Sequence, residues 1–329
     1  MTLCFSDIET RETLRRLKEI SFAYGSHGSE PLCETLIDYI AHMKVQETKR
    51  LRWEHRSPQL RQRRGMVSFI MKVCMHERYS SDTTYLAIYL YDRFTDRHSI
   101  AECQLTFVSL VCVVLSGKLL EVDHSIPRYH RMTKFISNFR QSQYQTFLGL
   151  EKYVLDAFRC DILVPTEINF LQFYMLYAVD GISSVVADEN NNSIVAGSDP
   201  SKIEVGTNNF APYASVQGAD IVEKIKETAM LILQELSRLD PTNEFPPSWI
   251  AASILMFARR ENSLNFWTPK LAAITSYTLA EVQCCLVAYI EPRFKESSFN
   301  RNFMAPDFRS VNKEVFILAK ETTDQNNNN

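Results

Sequence analysis

Apolar residues along the chain recur at the three- and four-residue spacing that is typical of amphipathic helices. The first half of the chain shows this pattern in ETLIDYIAHM and then in five stretches at 59–76, 82–95, 99–116, about 125–138 and 143–158. Helix-start residues at Pro165 and Thr166 open a second series. It comprises INFLQFYMLYAV and stretches near 217–239, 247–260, 267–275 and 278–291. No strand pattern of useful length competes, so the sequence predicts an all-α fold.

Two of these stretches are apolar on nearly every side. They are CQLTFVSLVCVVLSGK, Cys103 to Lys118, and PPSWIAASILMFARR, Pro246 to Arg260. A helix without a polar face is expected inside a bundle, with other helices packed around it. We therefore predict two five-helix bundles in tandem, related by a divergent internal duplication, with an extra N-terminal helix.

Shifts in composition divide the chain into five segments. They are an N-terminal extension (1–29) with a short charged helix at 7–22, the N-terminal helix and a basic linker (30–57), the first bundle (58–163), the second bundle (164–295) with a long exposed loop at about 180–212, and a disordered tail (296–329).

The basic stretch KRLRWEHRSPQLRQRR, Lys49 to Arg64, has two interpretations. A run of charge is most often a solvated linker, and that is the favoured one. The alternative is a signal for nuclear import or a contact with an acidic partner.

Net charge and cysteine usage narrow the class of protein. A net charge of −3 argues against a protein that coats nucleic acid, because phosphate binding needs a positive surplus. The eight cysteines form no CxxC pair and read as reduced thiols of a cytosolic or nuclear protein. The N-terminus has acidic residues where a signal peptide would have a continuous apolar core. The apolar run Leu105 to Leu115 is too short to cross a bilayer of roughly 30 Å. We expect no direct binding of nucleic acid and no membrane contact.

Catalytic templates are missing from the sequence. It has no GxSxG, no HExxH and no Walker loop, since Gly117-Lys118 lacks the upstream glycine. His124 and His130 have no cysteine partners, so we expect surface histidines and no metal site. Cys284 and Cys285 have no histidine in their half of the chain to activate them. We expect a protein that is not an enzyme and needs no cofactor.

Five charged side chains stand within or beside apolar helices. They are Arg63, Arg64, Asp92, Lys118 and Glu151. A charge in a partly buried place needs an opposite partner or a hydrogen-bonded terminus, because its desolvation alone is expensive. Either these charges pair within the chain or a second protein completes them.

The order of these motifs resembles the cyclin family. Tyr39 lies in ETLIDYIAHM, Arg63 opens the first bundle helix, and YLAIYLYDRF, LSGKLLE and GLEKYVLDAFRCDILVPT follow. They are similar to the cyclin patterns M-R-x-x-L-x-x-W, H-L-A-x-x-x-x-D-R-F, L-A-S-K-F-E-E and M-E-x-x-x-L-x-x-L-x-x-x-L-x-x-P-T. ETAMLILQELSRLD, PPSWIAASILMFA and LAAITSYTLAEVQCCL resemble the second cyclin box. The resemblance covers roughly Glu34 to Phe294, and SPQLRQRR and FTDRHSI are similar to the cyclin J branch.

The resemblance implies a regulatory subunit of a cyclin-dependent Ser/Thr kinase, acting on protein substrates through the complex and located in the nucleus, with the cytoplasm as a second location. Lys118 and Glu151 would reach the mobile helix of the kinase. The rest of the kinase-binding surface would come from Leu119, Leu120, Glu121, Phe147, Ile37 and Tyr39. Asp92 would pair with Arg63 inside the first box, leaving Arg93 solvated.

Two departures from the cyclin pattern leave alternatives open. Where many cyclins have Lys-Phe-Glu-Glu, this chain has Lys118-Leu119-Leu120-Glu121, which permits a cyclin-fold adaptor that binds proteins without activating a kinase. The substrate-docking patch is degenerate, and we expect weak or no docking of Arg-x-Leu peptides; its positions are Gln62, Gly65, Met66 and Phe69. A nucleic-acid binder of the general transcription factor type shares the fold, but the overall charge does not favour it.

Overall fold

The computed structural model describes residues 34–122, 125–136, 143–178, 216–239, 245–265 and 267–293. The predicted helix at 7–22, the loop at 180–212 and the tail at 296–329 lie outside the described residues. Every regular element within the described ranges is helical, which confirms the predicted all-α class.

The helices follow the predicted order along the chain. They are α1 Glu34–Thr48, α2 Leu60–Glu77, α3 Ser81–Arg97, α4 Leu105–Leu120, α5 Tyr129–Met132, α6 Gln143–Ala157, α7 Glu167–Met175, α8 Val216–Arg238, α9 Pro247–Glu261, α10 Pro269–Thr275 and α11 Leu279–Cys285. Single 3₁₀ turns precede α4 and follow α5, and α11 continues into a π turn at Leu286–Ile290. The predicted helix at 125–138 is shortened to α5 and its 3₁₀ turn, since Ile136 has extended backbone angles.

The chain forms two compact units. The α4 unit contains residues 49–168, 234–244 and the chain from 287, and the α9 unit contains residues 1–48, 169–233 and 245–286. The N-terminal helix α1 thus belongs to the α9 unit, although the sequence placed it with the basic linker. The domain boundaries stay a prediction.

Helix α4 is the centre of its unit. It packs against α2, α3 and α6, and its residues from Val108 to Gly117 are buried. By length and composition, the helix Glu102–Leu120 is long enough to cross a membrane, in contrast to the expectation from the shorter apolar run. Of its most apolar stretch, 61% is buried within the protein, as in the core helix of a bundle.

Helix α9 is the centre of the other unit. It packs against α1, α10 and α11, and its residues from Ile250 to Arg259 are buried. Proline starts both α9 and α10, where a missing backbone N–H costs nothing. A capping box between Thr278 and Glu281 starts α11. These start signals hold short helices in place around α9.

Residues 49–59, which we call the strap, are attached to α3 by their backbone and by Trp53, while most of their charged side chains are exposed. Trp53 is only 3% exposed, and the backbone N–H of Leu51 donates to Tyr89 Oη at 2.9 Å. The carboxylate of Asp96, near the end of α3, accepts the backbone N–H groups of Glu54 and, at 2.8 Å, Arg56. The charged side chains of this part of the basic stretch are solvated, as expected for a linker, but its backbone is fixed on α3, which the sequence did not predict.

Arg93 is part of the same contact, and the expectation that it is solvated was wrong. It is 6% exposed, and its Nε donates to the carbonyl of Leu51 at 2.6 Å. Its guanidinium lies over the rings of Trp53 and Tyr89, at 5.6 and 5.4 Å. Burial, and then the charge of Arg50, lowers the pKa of Arg93. Both charges of the Asp92-Arg93 pair thus face protein.

Candidate functional site

Lys118 and Glu151 form an ion pair on the rim of the α4 unit. Lys118 lies in the last turn of α4, and its Nζ donates to Oε1 of Glu151 in α6. The lysine side chain is 46% exposed and the glutamate 12%. Glu151 lies in the middle of α6. The lysine can therefore turn towards a partner, while the carboxylate stays held at the surface.

Close packing at Gly117 helps to place Lys118. Gly117 is buried, and a β-carbon at this position would lie 2.3 Å from Cγ of Pro127. Only glycine lets the proline ring approach the helix this closely. The segment after α4 therefore packs directly against the turn that carries Lys118.

Exposed apolar side chains accompany the ion pair on α4 and α6. Leu119 is 47% exposed and Leu148 38%. Leu120 is half-buried. Phe147, expected at this surface, is 1% exposed and packs on Tyr129 in the core. The sequence missed Leu148, although its three-residue spacing from Glu151 would have indicated it. Tyr153 is 50% exposed but lies on another side of α6, where its ring contacts those of Phe94 and His98.

Glu121 has an internal role. Its Oε1 accepts hydrogen bonds from the backbone N–H of Ser80 at 2.7 Å, from Ser80 Oγ at 2.8 Å and from Thr83 Oγ1 at 2.5 Å. These groups form the N-terminus of α3, where a carboxylate is favoured by the helix dipole. The carboxylate retained from the cyclin pattern thus joins the end of α4 to the start of α3.

The two expected partner-binding residues of α1 lie in the α9 unit. Tyr39 is 51% exposed, and its ring lies 5.8 Å from that of Phe173. Ile37 lies on α1, but its side chain is outside the described residues. Tyr39 therefore presents an aromatic ring at the surface of this unit, with one side of the ring packed near Phe173.

The structure shows the predicted pair of Arg63 and Asp92 as a buried fork. Arg63 Nε donates to Asp92 Oδ1 and Arg63 Nη2 to Asp92 Oδ2, both at 2.7 Å. Arg63 also donates to the carbonyls of Leu239 and, at 3.0 Å, Ser237, which the sequence did not predict. The two residues are 4% exposed. The fork fixes the orientation of α2 on α3. Its role is structural.

The degenerate docking positions lie on the outer part of α2. Gly65 is exposed, with no heavy atom within 4 Å of a β-carbon placed there. Gln62, Met66 and Phe69 are half-buried. This part of α2 offers a shallow apolar strip with a gap at the glycine.

A buried polar network in the α9 unit was missed by the sequence. Lys44 Nζ donates to the carbonyl of Thr275 at 2.6 Å and lies 4.4 Å from the centre of the Tyr277 ring. Glu47 accepts from the backbone N–H and the hydroxyl of Ser248, at 2.6 and 2.7 Å. Burial lowers the pKa of Lys44 to about 8, against the opposing charges of Glu47 and Glu281. The network joins α1 to the start of α9 and the end of α10.

Two buried thiols and the possible metal-binding groups of the described ranges do not meet the needs of a reactive centre. Burial raises the pKa of Cys74 to about 12 and raises that of Cys112 further, so both are inert thiols. Within those ranges, no group of three or more His, Cys, Asp or Glu residues could hold a metal ion.

Comparisons with known proteins match both halves of the chain. The family model for the cyclin N-terminal domain matches residues 36–163, and that for the cyclin C-terminal domain matches residues 208–314. A mouse Cyclin-J-like protein is 25% identical over 75% of this chain and 60% of its own length. Human Cyclin-J is 29% identical over 42% of this chain and 38% of its own, and human Cyclin-A1 is 23% identical over 84% and 52%.

One solved structure shows the same fold. It is a viral cyclin from herpesvirus saimiri, with a TM-score of 0.54 and 14% identity over 78% of this chain and 96% of the viral chain. The matches to Cyclin-J-like protein and Cyclin-J support the similarity to the cyclin J branch. With two cyclin domains in tandem order, this chain belongs to the cyclin family.

Proposed function

We propose that this chain is the activating subunit of a cyclin-dependent Ser/Thr protein kinase, with a role in cell-cycle control in the nucleus. The observation that carries the proposal is the Lys118–Glu151 pair, which lies on a rim with exposed Leu119 and Leu148. The rim offers a cation, a carboxylate and apolar area to one partner. Catalysis would belong wholly to the kinase, whose mobile helix and activation loop this surface would position.

The energetics of the pair suit an exchange of partners. An exposed ion pair contributes at most about 1 kcal/mol, so opening it costs little. Once water is excluded by the apolar side chains around it, each charge gains more from a hydrogen bond to a partner. The same two residues can therefore pair in the free chain and bind the kinase in the complex.

The test is to purify the chain with candidate cyclin-dependent kinases and measure complex formation and phosphorylation of a histone-like substrate. Lys118→Ala and Glu151→Ala should each weaken binding by at least about tenfold, because each leaves a polar partner group unpaired. The matched control is the surface pair of Glu223 and Lys226 on α8, 3.6 Å apart, whose alanine variants should bind normally. Binding to none of the kinases would contradict the proposal.

A second candidate is a cyclin-fold adaptor that binds proteins without activating a kinase. The observation that favours it is the KLLE segment: Leu119 stands where many cyclins have an aromatic ring, and Glu121 is engaged by Ser80 and Thr83. A complex that forms without raising phosphorylation, and that Lys118→Ala weakens, would support the adaptor instead.

A further inference from the structure

The outward side of α2 carries a row of cations with no anion beside it. Arg61, Arg64 and Lys72 are exposed. None of them has an ion-pair or hydrogen-bond partner within the described parts of the chain. The one acidic residue of α2 is Glu77, whose side chain is 1% exposed and pairs with Arg131 at 2.6 Å. The row therefore keeps an uncompensated positive charge at the surface.

The cations share one stripe of the helix. At 100° per residue, Arg61, Arg64 and Lys72 fall within roughly 80° of one another around the axis of α2. Arg63 points away from them, into the fork with Asp92. That fork and the core contacts of Val67 and Ile70 hold the helix, so the row has a fixed orientation.

An apolar strip runs next to the cationic row. Gly65 is exposed, and Met66 and Phe69 are half-buried at neighbouring positions of the same helix. A β-carbon at Gly65 would meet no atom within 4 Å, so a side chain from a partner has room there. Cations and apolar area thus lie side by side, which is the pattern of a surface for a short peptide of opposite charge.

The first turn of α2 adds to this preference. It contains Arg61 and Arg63 and no acidic residue, Arg64 follows directly, and no side chain caps its N-terminus. Positive side chains there repel the positive end of the helix dipole. An anionic partner would relieve this repulsion, and a cationic one would increase it.

We propose that the exposed face of α2 binds a short acidic peptide segment of a partner protein, with an aliphatic side chain seated at Gly65 and carboxylates along Arg61, Arg64 and Lys72. This goes beyond the proposed kinase regulation and does not depend on it, because the chain alone can bind the peptide. This face would prefer a negatively charged peptide, whereas a groove for Arg-x-Leu peptides prefers a positively charged one.

The dimensions of the row set the length of the peptide. Arg61 and Lys72 are separated by about 16 Å along the helix at 1.5 Å per residue. An extended strand covers this distance with about five residues at 3.3 Å each. A probe of about seven residues, with one leucine at its centre and glutamates on both sides, is therefore long enough.

The experiment measures fluorescence anisotropy of this labelled peptide with the full chain. The acidic peptide should bind, and its affinity should fall as salt is raised, since exposed charges are screened. The same peptide with lysines in place of the glutamates should bind at least tenfold more weakly. In Arg61→Glu/Arg64→Glu the preference should reverse. Glutamate suits the first turn of a helix, so this variant should fold.

Lys224→Glu/Lys226→Glu on α8 is the matched control, because both lysines are exposed and the change in net charge is equal. It should bind the acidic peptide as the unmodified chain does. Failure of the acidic peptide to bind, or equal loss in both double variants, would overturn the proposal. So would tighter binding of a short DNA duplex that only the α2 variant loses, which would assign the row to nucleic acid. Kinase binding is measured separately, so either proposal can fail alone.

Discussion

Arg63 and Asp92 are buried inside the α4 unit, where water cannot hydrate their charges. The hydrogen bonds of the fork take the place of that hydration. The fork's two parallel hydrogen bonds of 2.7 Å use both carboxylate oxygens, and the remaining guanidinium donors reach the carbonyls of Ser237 and Leu239. A buried ion pair is favourable only when its hydrogen-bonding groups are satisfied in this way. Each partner therefore depends on the other.

Arg63→Ala should destabilise the protein by about 3–5 kcal/mol, because it leaves the Asp92 carboxylate buried without its counter-ion. Arg63→Lys should recover only part of this loss, since an ammonium group cannot form the fork. The control is Arg64→Ala, at an exposed position, which should change the free energy of unfolding by less than about 0.5 kcal/mol. Urea unfolding followed by circular dichroism measures all three. Similar effects of the two alanine variants would contradict the prediction.

Two glycines of the α4 unit should respond in opposite ways to the same methyl group. Gly65→Ala should stabilise the protein by roughly 0.5–1 kcal/mol, because a β-carbon there meets no neighbour and alanine favours the helix. Gly117→Ala should destabilise it by about 1–3 kcal/mol, because the methyl group would overlap Pro127. Thermal unfolding of the two variants measures both effects: the melting temperature should rise for Gly65→Ala and fall for Gly117→Ala. A shift in the same direction for both would be evidence against this packing.

At the scale of elements, α1 is attached to its unit by polar groups as well as by Ile40 and Met43. Lys44 and Glu47 reach the end of α10 and the start of α9 through Thr275 and Ser248. Both ends of the attachment use backbone groups that helix termini leave unpaired. The network thereby fixes the helix that carries Tyr39.

Lys44 should make stability depend on pH in a defined window. Its pKa is lowered to about 8 in the folded chain and returns to 10.5 on unfolding, so between these values the unfolded chain binds more protons. Stability should therefore rise with pH from 8 to 10.5, by roughly 1–3 kcal/mol relative to Lys44→Met, and stay level below pH 8. Exposed Lys49→Met is the control and should show no such difference. The free energies of unfolding are measured with urea. If the difference between the unmodified chain and Lys44→Met fell as pH rises through this window, the prediction would be contradicted.

The helices were predictable from the sequence because apolar spacing determines which elements can form a core. That Asp92 needs a partner was predictable because a charge in an apolar helix needs one, whereas the choice of Arg63 followed from the resemblance to cyclins. The strap was not predictable. Its composition is that of a solvated segment, and only the position of Asp96 and Tyr89 on α3 shows where its backbone groups bind. The exposure of Phe147 could not be predicted either, since it depends on packing against Tyr129 of α5.

At the scale of the whole molecule, each compact unit is built from separated stretches of the chain. The α9 unit takes its first helix from residues before 49 and the rest from residues after 168. Contacts between distant stretches make a unit sensitive to the loss of either one. The N-terminal helix is thus part of a core, not an appendage.

A chain that begins at Lys49 should lose stability mainly in the α9 unit. Removing α1 exposes the surface of α9 against which this helix packs and leaves Ser248 without the Glu47 carboxylate. Amide hydrogen exchange should speed up in α9, α10 and α11 far more than in α3 and α4. A chain that begins at Glu34 serves as the control and should keep protection in all five. Faster exchange confined to α3 and α4 would contradict the assignment of α1 to the α9 unit.

The burial of Trp53 gives the strap an optical signal of its own. The chain contains three tryptophans, and the other two, Trp249 and Trp267, belong to the α9 unit. With both replaced by phenylalanine, the remaining indole would report only on the strap, between the ring of His55 at 5.9 Å and the guanidinium of Arg93 at 5.6 Å. Release of the strap from α3 would then shift the emission to longer wavelength, so its attachment could be followed in real time while a partner binds elsewhere.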